Sequence, residues 1–325
     1  MNKEYLNKLD RIICSDYANI AGMVVQKNGV TLYEQGFNGF TPSDPIHVAS
    51  VTKSVFSALI GIARDKGLLT DINRKVLDFF PEYKVMAGET TIQNITLKDL
   101  LTMTAPYKYE TEPYEAFFAS PNWVEKALDL LGGKGKIGNF VYSAMVGTQI
   151  LSGVLARVTG KPVLDFAVDN LFSPLGIKIE QNVVFHNKED QLAWFAENKK
   201  SSGWVVDPQG INTAGWGLTM TPLDMSKIGQ LYLKGGLWDG KQILSTEWIE
   251  ESTSVHSRWG KLLYGYLWWI IDDKDRIFAA LGDGGNVIYV NTKNNFVVSI
   301  ASLFMPVAKD RIELIRKVIE PTFDI

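Results

Sequence analysis

Ser50 and Lys53 are three residues apart at the start of a run in which Val55, Phe56, Leu59, Ile60, Ile62 and Ala63 are apolar before Gly67 interrupts it. A serine hydroxyl is a weak nucleophile until a neighbouring base takes its proton. Residues i and i+3 of a helix share a face, so a helix here brings the Lys53 amine within reach of the Ser50 hydroxyl. A lysine normally keeps its proton to a pH of about 10.4, and burial lowers that by several units, so a neutral amine is the base this spacing offers. The helix N-terminus adds free N–H groups and a positive dipole end for a developing oxyanion. The same residues also fit an ordinary serine N-cap followed by a surface lysine, and spacing alone leaves both readings open.

Other chemistries are excluded more readily. The sequence has no Gly-x-Ser-x-Gly nucleophile elbow and no His-Glu-x-x-His metal site. Gly235 to Lys241 spells the start of a phosphate-binding loop, but Gln242 stands where Ser or Thr would hold magnesium, so a tight turn at Asp239-Gly240 is expected instead. Gly215-Trp216-Gly217 lacks the third glycine of a dinucleotide fingerprint. A single cysteine, Cys14, allows neither an intrachain disulfide nor a cysteine-based zinc cluster, and His47, His186 and His256 are far apart. No metal and no cofactor are therefore expected. His47, three residues before Ser50, invites a serine–histidine pairing, but no matching aspartate arrangement accompanies it and a structural role is expected. With 33 Lys plus Arg against 36 Asp plus Glu, a net charge of −3 argues against a nucleic-acid partner.

The elements that must position these groups follow from periodicity. A first helix carries Leu6, Leu9, Ile12 and Ile13 on one stripe. Two strand-like runs, 20–26 and 30–35, flank Asn28-Gly29, the pair favoured in a type I′ hairpin turn. The helix from Ser50 is apolar on nearly every side and belongs inside the protein. Capping patterns at Thr96-Leu97-Lys98-Asp99 and Thr221-Pro222-Leu223-Asp224 open further helices, and 144–158 forms another. Runs 264–271, 276–281, 287–291 and 296–303 read as strands, followed by a terminal helix over 308–319. Strands at both ends and helices between them predict an α+β fold with one antiparallel sheet. Its sheet subdomain would comprise 1–46 and 262–325 and its mainly helical subdomain 47–261, with the active site between them.

Taken in order, Ser50-Val51-Thr52-Lys53, then Tyr142-Ser143-Ala144, then Leu281-Gly282-Asp283-Gly284-Gly285 resemble the serine β-lactamase and penicillin-binding-protein superfamily. Phe172 to Ile177 is similar to its Pro-Leu-Gly turn, and Ala214 to Met225 to its Gly-Gly-Leu segment before a capped helix. The likeness spans about Val24 to Ser302 and is greatest to the class C branch, which includes carboxylesterases, D-amino-acid peptidases and 6-aminohexanoate oligomer hydrolases. It implies Ser50 as acylated nucleophile, Lys53 as its proton partner and Tyr142 as shared general acid/base. It also implies an oxyanion hole from the N–H groups of Ser50 and Gly285, with Gly284 letting the strand approach the substrate. Trp216, on a glycine-flanked loop, is a candidate pocket wall.

Two departures bear on substrate. Ala144 stands where the superfamily's Tyr-x-Asn pattern has the amide, and Gly282-Asp283-Gly284 replaces Lys-Thr-Gly, removing a cation that pairs with a β-lactam carboxylate. The expectation is a serine hydrolase for a small ester, amide or peptide, with a true β-lactamase or D,D-peptidase as the alternative. A non-catalytic protein that binds an acyl donor, such as a sensor, is the alternative of another class. The charged N-terminal stretch has no apolar export segment and no run reaches the ~20 residues of a membrane helix, so a cytoplasmic, membrane-free protein is expected.

Overall fold

A computed structural model describes residues 3–196 and 200–325. Its frame is an eight-stranded antiparallel sheet. The strands are β1 (Ile20–Lys27), β2 (Val30–Gly36), β3 (Ser257–Trp259), β4 (Leu262–Tyr264), β5 (Trp269–Asp272), β6 (Ile277–Gly282), β7 (Asn286–Asn291) and β8 (Phe296–Ser302). They lie in the order β2-β1-β8-β7-β6-β5-β4-β3, so the N-terminal hairpin completes the sheet beside the last strand. Asn28 and Gly29 both take positive φ (51° and 77°), as the type I′ turn requires.

Both faces of the sheet are covered, and the strands alternate accordingly. On one face Leu9 and Ile13 of α1 (Lys3–Asp16) and Leu314, Ile315 and Ile319 of the terminal helical run 311–322 pack on Met23, Val25, Tyr289 and Val298. On the other, Val290, Val297 and Ala301 face the helical layer. There α2 (Val51–Asp65) is buried along its whole length from Val51 to Ala63, as its all-round apolar pattern predicts. The remaining helices used below are α3 (Tyr114–Phe118), α4 (Val146–Thr159), α5 (Lys188–Ala196) and α6 (Pro222–Leu233). Helix α6 sits so tightly on the sheet that a Cβ at Gly229 would lie 2.6 Å from Val297.

Run 264–271 is not one strand. Gly265 approaches the Ser252 carbonyl so closely that its Cβ position lies 2.1 Å from that oxygen, and Leu267 takes φ 62°. The chain therefore turns there, Gly265 N–H donating to the Trp268 carbonyl (2.8 Å), and divides into β4 and β5. The apolar character of Tyr266, Leu267 and Trp268 comes from core burial in the turn rather than from strand pairing. Strand β3 carries an exposed Trp259 and no clear alternation, so nothing in its pattern announces it.

Candidate active site

Ser50 immediately precedes α2, yet its side chain makes no capping hydrogen bond. Ala49 before it takes φ 48°, a strained conformation for a residue with a Cβ, and the turn it makes delivers Ser50 into the helix. Lys53 is no surface lysine: it is 2% exposed. These two facts remove the N-cap alternative.

The surroundings of Lys53 Nζ define what the pair can do. The carbonyls of Ala144 (2.9 Å) and Gly215 (2.8 Å) accept two of its hydrogens, and the third direction points at Ser50 Oγ, 3.0 Å away. In the ammonium form that direction donates to Oγ; in the amine form its lone pair can take the hydroxyl proton. The Tyr142 hydroxyl reaches Ser50 Oγ at 3.4 Å, and Nζ lies 5.3 Å from the centre of the Tyr142 ring. Trp269 stacks on that ring at 6.1 Å and 25° and fixes its plane. Lys53, one helical turn away, and Tyr142, 92 residues away, thus meet at one hydroxyl.

Each partner of Lys53 is itself held. Gly215 must be glycine, because a Cβ there would lie 2.2 Å from the Ala144 carbonyl oxygen and 2.5 Å from Thr148 Oγ1. The neighbouring Gly217 N–H donates to His47 Nε2 (3.1 Å), so His47 braces this loop rather than facing the serine as a base. Burial against the Trp194 and Trp216 rings pushes the His47 pKa down to about 3, so the ring is neutral and able to accept that hydrogen bond.

On the other side, the Glu112 carboxylate accepts hydrogen bonds from Ser143 Oγ (3.0 Å) and from the N–H groups of Ala144 (2.9 Å), Met145 (3.0 Å) and Val146 (2.8 Å). Met145, the residue preceding α4, has no side-chain capping bond, and Glu112 serves the helix start instead. Glu112 therefore fixes the segment that presents both Tyr142 and the Ala144 carbonyl. No local pattern marks this role, since Glu112 lies thirty-one residues or more from the groups it holds in that segment.

A cavity of about 260 Å³ opens over Ser50, lined by His47, Tyr114, Phe118, Trp216, Asp283 and Phe304 among others. Trp216 is thus a wall of the site. Ala144 lines it too, but contributes its carbonyl to Lys53 rather than a side chain to a ligand. Gly284 and Gly285 are not where the sequence likeness puts them. Neither lines this cavity; the turn after β6 carries them to the side of the terminal helix. The Gly284 carbonyl accepts from Asn19 Nδ2 (2.7 Å), and a Cβ at Gly285 would lie 2.7 Å from Arg311 Nε. The glycine beside Ser50 is Gly282, whose Cβ position is 2.4 Å from the Val48 carbonyl and 3.1 Å from Ser50 N. Among the described residues, the N–H groups of Ser50 and of Asp283, next after Gly282, donate to no chain acceptor. Asp283 rather than Gly285 is accordingly the candidate second oxyanion donor. No group of His, Cys, Asp and Glu among the described residues could hold a metal ion.

The chain belongs to the Beta-lactamase family, which it matches over residues 9–320. It is 21% identical over 298 residues to a 6-aminohexanoate-dimer hydrolase of Paenarthrobacter ureafaciens, covering 85% of this chain and 70% of that protein. In fold it is similar to a family VIII carboxylesterase (TM-score 0.68, 16% identity, 97% of each chain). It is also similar to the octameric penicillin-binding protein homologue from Pyrococcus abyssi (TM-score 0.70, 19% identity, 97% of this chain and 77% of that one). The antiparallel sheet with its helical layer is the fold these proteins share, and hydrolases are among its relatives.

Proposed function

We propose that this protein is a serine hydrolase that cleaves a neutral ester or small amide through an acyl-enzyme on Ser50. The observation that carries the reading is the convergence of Lys53 Nζ (3.0 Å) and Tyr142 OH (3.4 Å) on Ser50 Oγ. As Oγ attacks the substrate carbonyl, its proton passes to the Lys53–Tyr142 pair. Charge developing on the carbonyl oxygen is met by the free N–H groups of Ser50 and Asp283, which need no reorganisation at that moment. Collapse expels the alcohol or amine, which takes the proton from the pair. A water molecule then attacks the Ser50 ester, gives its proton to the same pair, and the proton returns to Oγ as the acid product leaves.

Substrate charge follows from the cavity. Among the described residues no arginine or lysine lines it, and the one carboxylate among them, Asp283, disfavours an anion. A charge-assisted contact to a substrate carboxylate is worth about 1.5–3 kcal/mol, so its absence disfavours β-lactams by roughly tenfold to a hundredfold. The test compares kcat/KM for a short-chain p-nitrophenyl ester with that for nitrocefin. Ester turnover that exceeds nitrocefin turnover and disappears in Ser50→Ala is expected. Clearly faster nitrocefin hydrolysis would replace this reading with a β-lactamase.

A further inference from the structure

The space beside Ser50 is the smaller of two that adjoin. Tyr114 and Phe118 of α3, which line the 260 Å³ cavity, also line a second one of about 910 Å³. The first alone is below the usual size of a small-molecule site, whereas the second is near the top of that range. Phe118 stands between them, edge-on to Trp216 on the serine side (5.6 Å, 82°) and to Trp123 on the other (5.1 Å, 70°). Beyond it the walls are largely apolar, with Trp123, Val184, Phe185 and Val206. The two charged side chains in the lining, Glu115 and Lys188, neutralise each other across the rim at 3.0 Å and are both exposed. Among the described residues no unpaired charge therefore awaits a ligand charge there.

The direction of the substrate follows from proton transfer. A leaving group has to lie against Tyr142 and Lys53 to be protonated, and Tyr142 does not line the cavity. The part of the substrate that stays on Ser50 consequently faces Trp216 and Phe118, and its far end points toward the larger space. We propose that the acyl group transferred to Ser50 is long and apolar, a medium-chain alkanoyl or an arylalkanoyl group, whose distal part fills the 910 Å³ cavity past Phe118. This rests on the acyl-enzyme reading above and names its substrate class.

The test is a kcat/KM series on the intact protein with p-nitrophenyl acetate, butyrate, hexanoate, octanoate and 4-phenylbutyrate. Burying one methylene is worth about fourfold in binding, so a rise of about two- to fourfold per methylene from butyrate to octanoate is expected. Ala119 and Pro208 line the cavity and are exposed at its rim, so substitution there leaves the core alone. Ala119→Trp and Pro208→Trp should each lower the octanoate-to-acetate ratio at least about tenfold, with labelling of Ser50 by a small fluorophosphonate reporting that each variant is folded. Preference for 4-phenylbutyrate over octanoate assigns an aryl-bearing acyl group, and the reverse an alkyl one; either supports the proposal. Ser50-dependent turnover of acetate with a flat or falling series, or an unchanged ratio in both folded variants, overturns it while leaving the acyl-enzyme reading intact. Absence of Ser50-dependent turnover at every chain length overturns both.

Discussion

Removing Glu112 should damage stability and catalysis together, because one carboxylate both starts α4 and holds the segment that carries Tyr142 and Ala144. Replacing an ordinary N-cap costs about 0.5–2 kcal/mol for one or two amides. Glu112 serves three backbone N–H groups and the Ser143 hydroxyl at 2.8–3.0 Å, all in a half-buried setting. Water can re-enter and satisfy part of that loss, so Glu112→Ala is expected to destabilise the fold by about 2–4 kcal/mol. The functional effect is separate. The Ala144 carbonyl is one of two that aim Lys53 at Ser50, and displacement of a catalytic group by about 1 Å can cost 10²-fold. The rate of Ser50 acylation by a fluorophosphonate should therefore fall about ten- to a hundredfold at a temperature where the variant is folded. Urea unfolding and the labelling rate measure the two effects independently. A variant within about 0.5 kcal/mol of wild type, the range of ordinary surface substitutions, would refute the capping argument. One that is destabilised yet labels at the wild-type rate would refute the positioning argument.

Lys53→Ala and Tyr142→Phe should each lower kcat by about 10²–10⁴, and the double variant should be little worse than either, because both handle the same Ser50 proton; additive losses would mean that they act independently. His47 supplies a pH signature. The folded protein keeps it neutral to about pH 3, whereas in the unfolded chain it takes up a proton near pH 6.5. Its contribution to stability is then complete above about pH 6.5 and is lost as the pH falls toward 3. Urea midpoints measured across that window should fall less steeply for His47→Gln than for wild type, and parallel curves would show that His47 is not the group responsible.

Sequence periodicity reveals the elements whose causes are local. The Asn28-Gly29 turn, the all-apolar α2 and the Thr221 cap, whose hydroxyl accepts from Asp224 N–H at 2.9 Å, all depend on neighbours within a few residues. The Ser50–Lys53 contact is equally local, one helical turn. What encloses that contact is not. The carbonyls that hold Lys53 lie 91 and 162 residues away and are backbone groups, which no side-chain type announces. Glu112 is one acidic residue among many until α4 is docked beside it. The Gly282–Gly285 run offers three glycines, and only the packing of β6 against Val48 and of the following turn against Arg311 decides that Gly282 faces the serine. Run 264–271 misleads for a related reason: apolar residues in a buried turn look like a strand when the neighbouring Ser252 backbone is out of view.

Whether Ser50 forms the acyl-enzyme is decided by mass spectrometry of the protein after reaction with a fluorophosphonate. One adduct per chain is expected, on the peptide containing Ser50, and it is absent in Ser50→Ala together with ester turnover. An adduct on another residue, or turnover that persists in Ser50→Ala, would contradict a Ser50 acyl-enzyme.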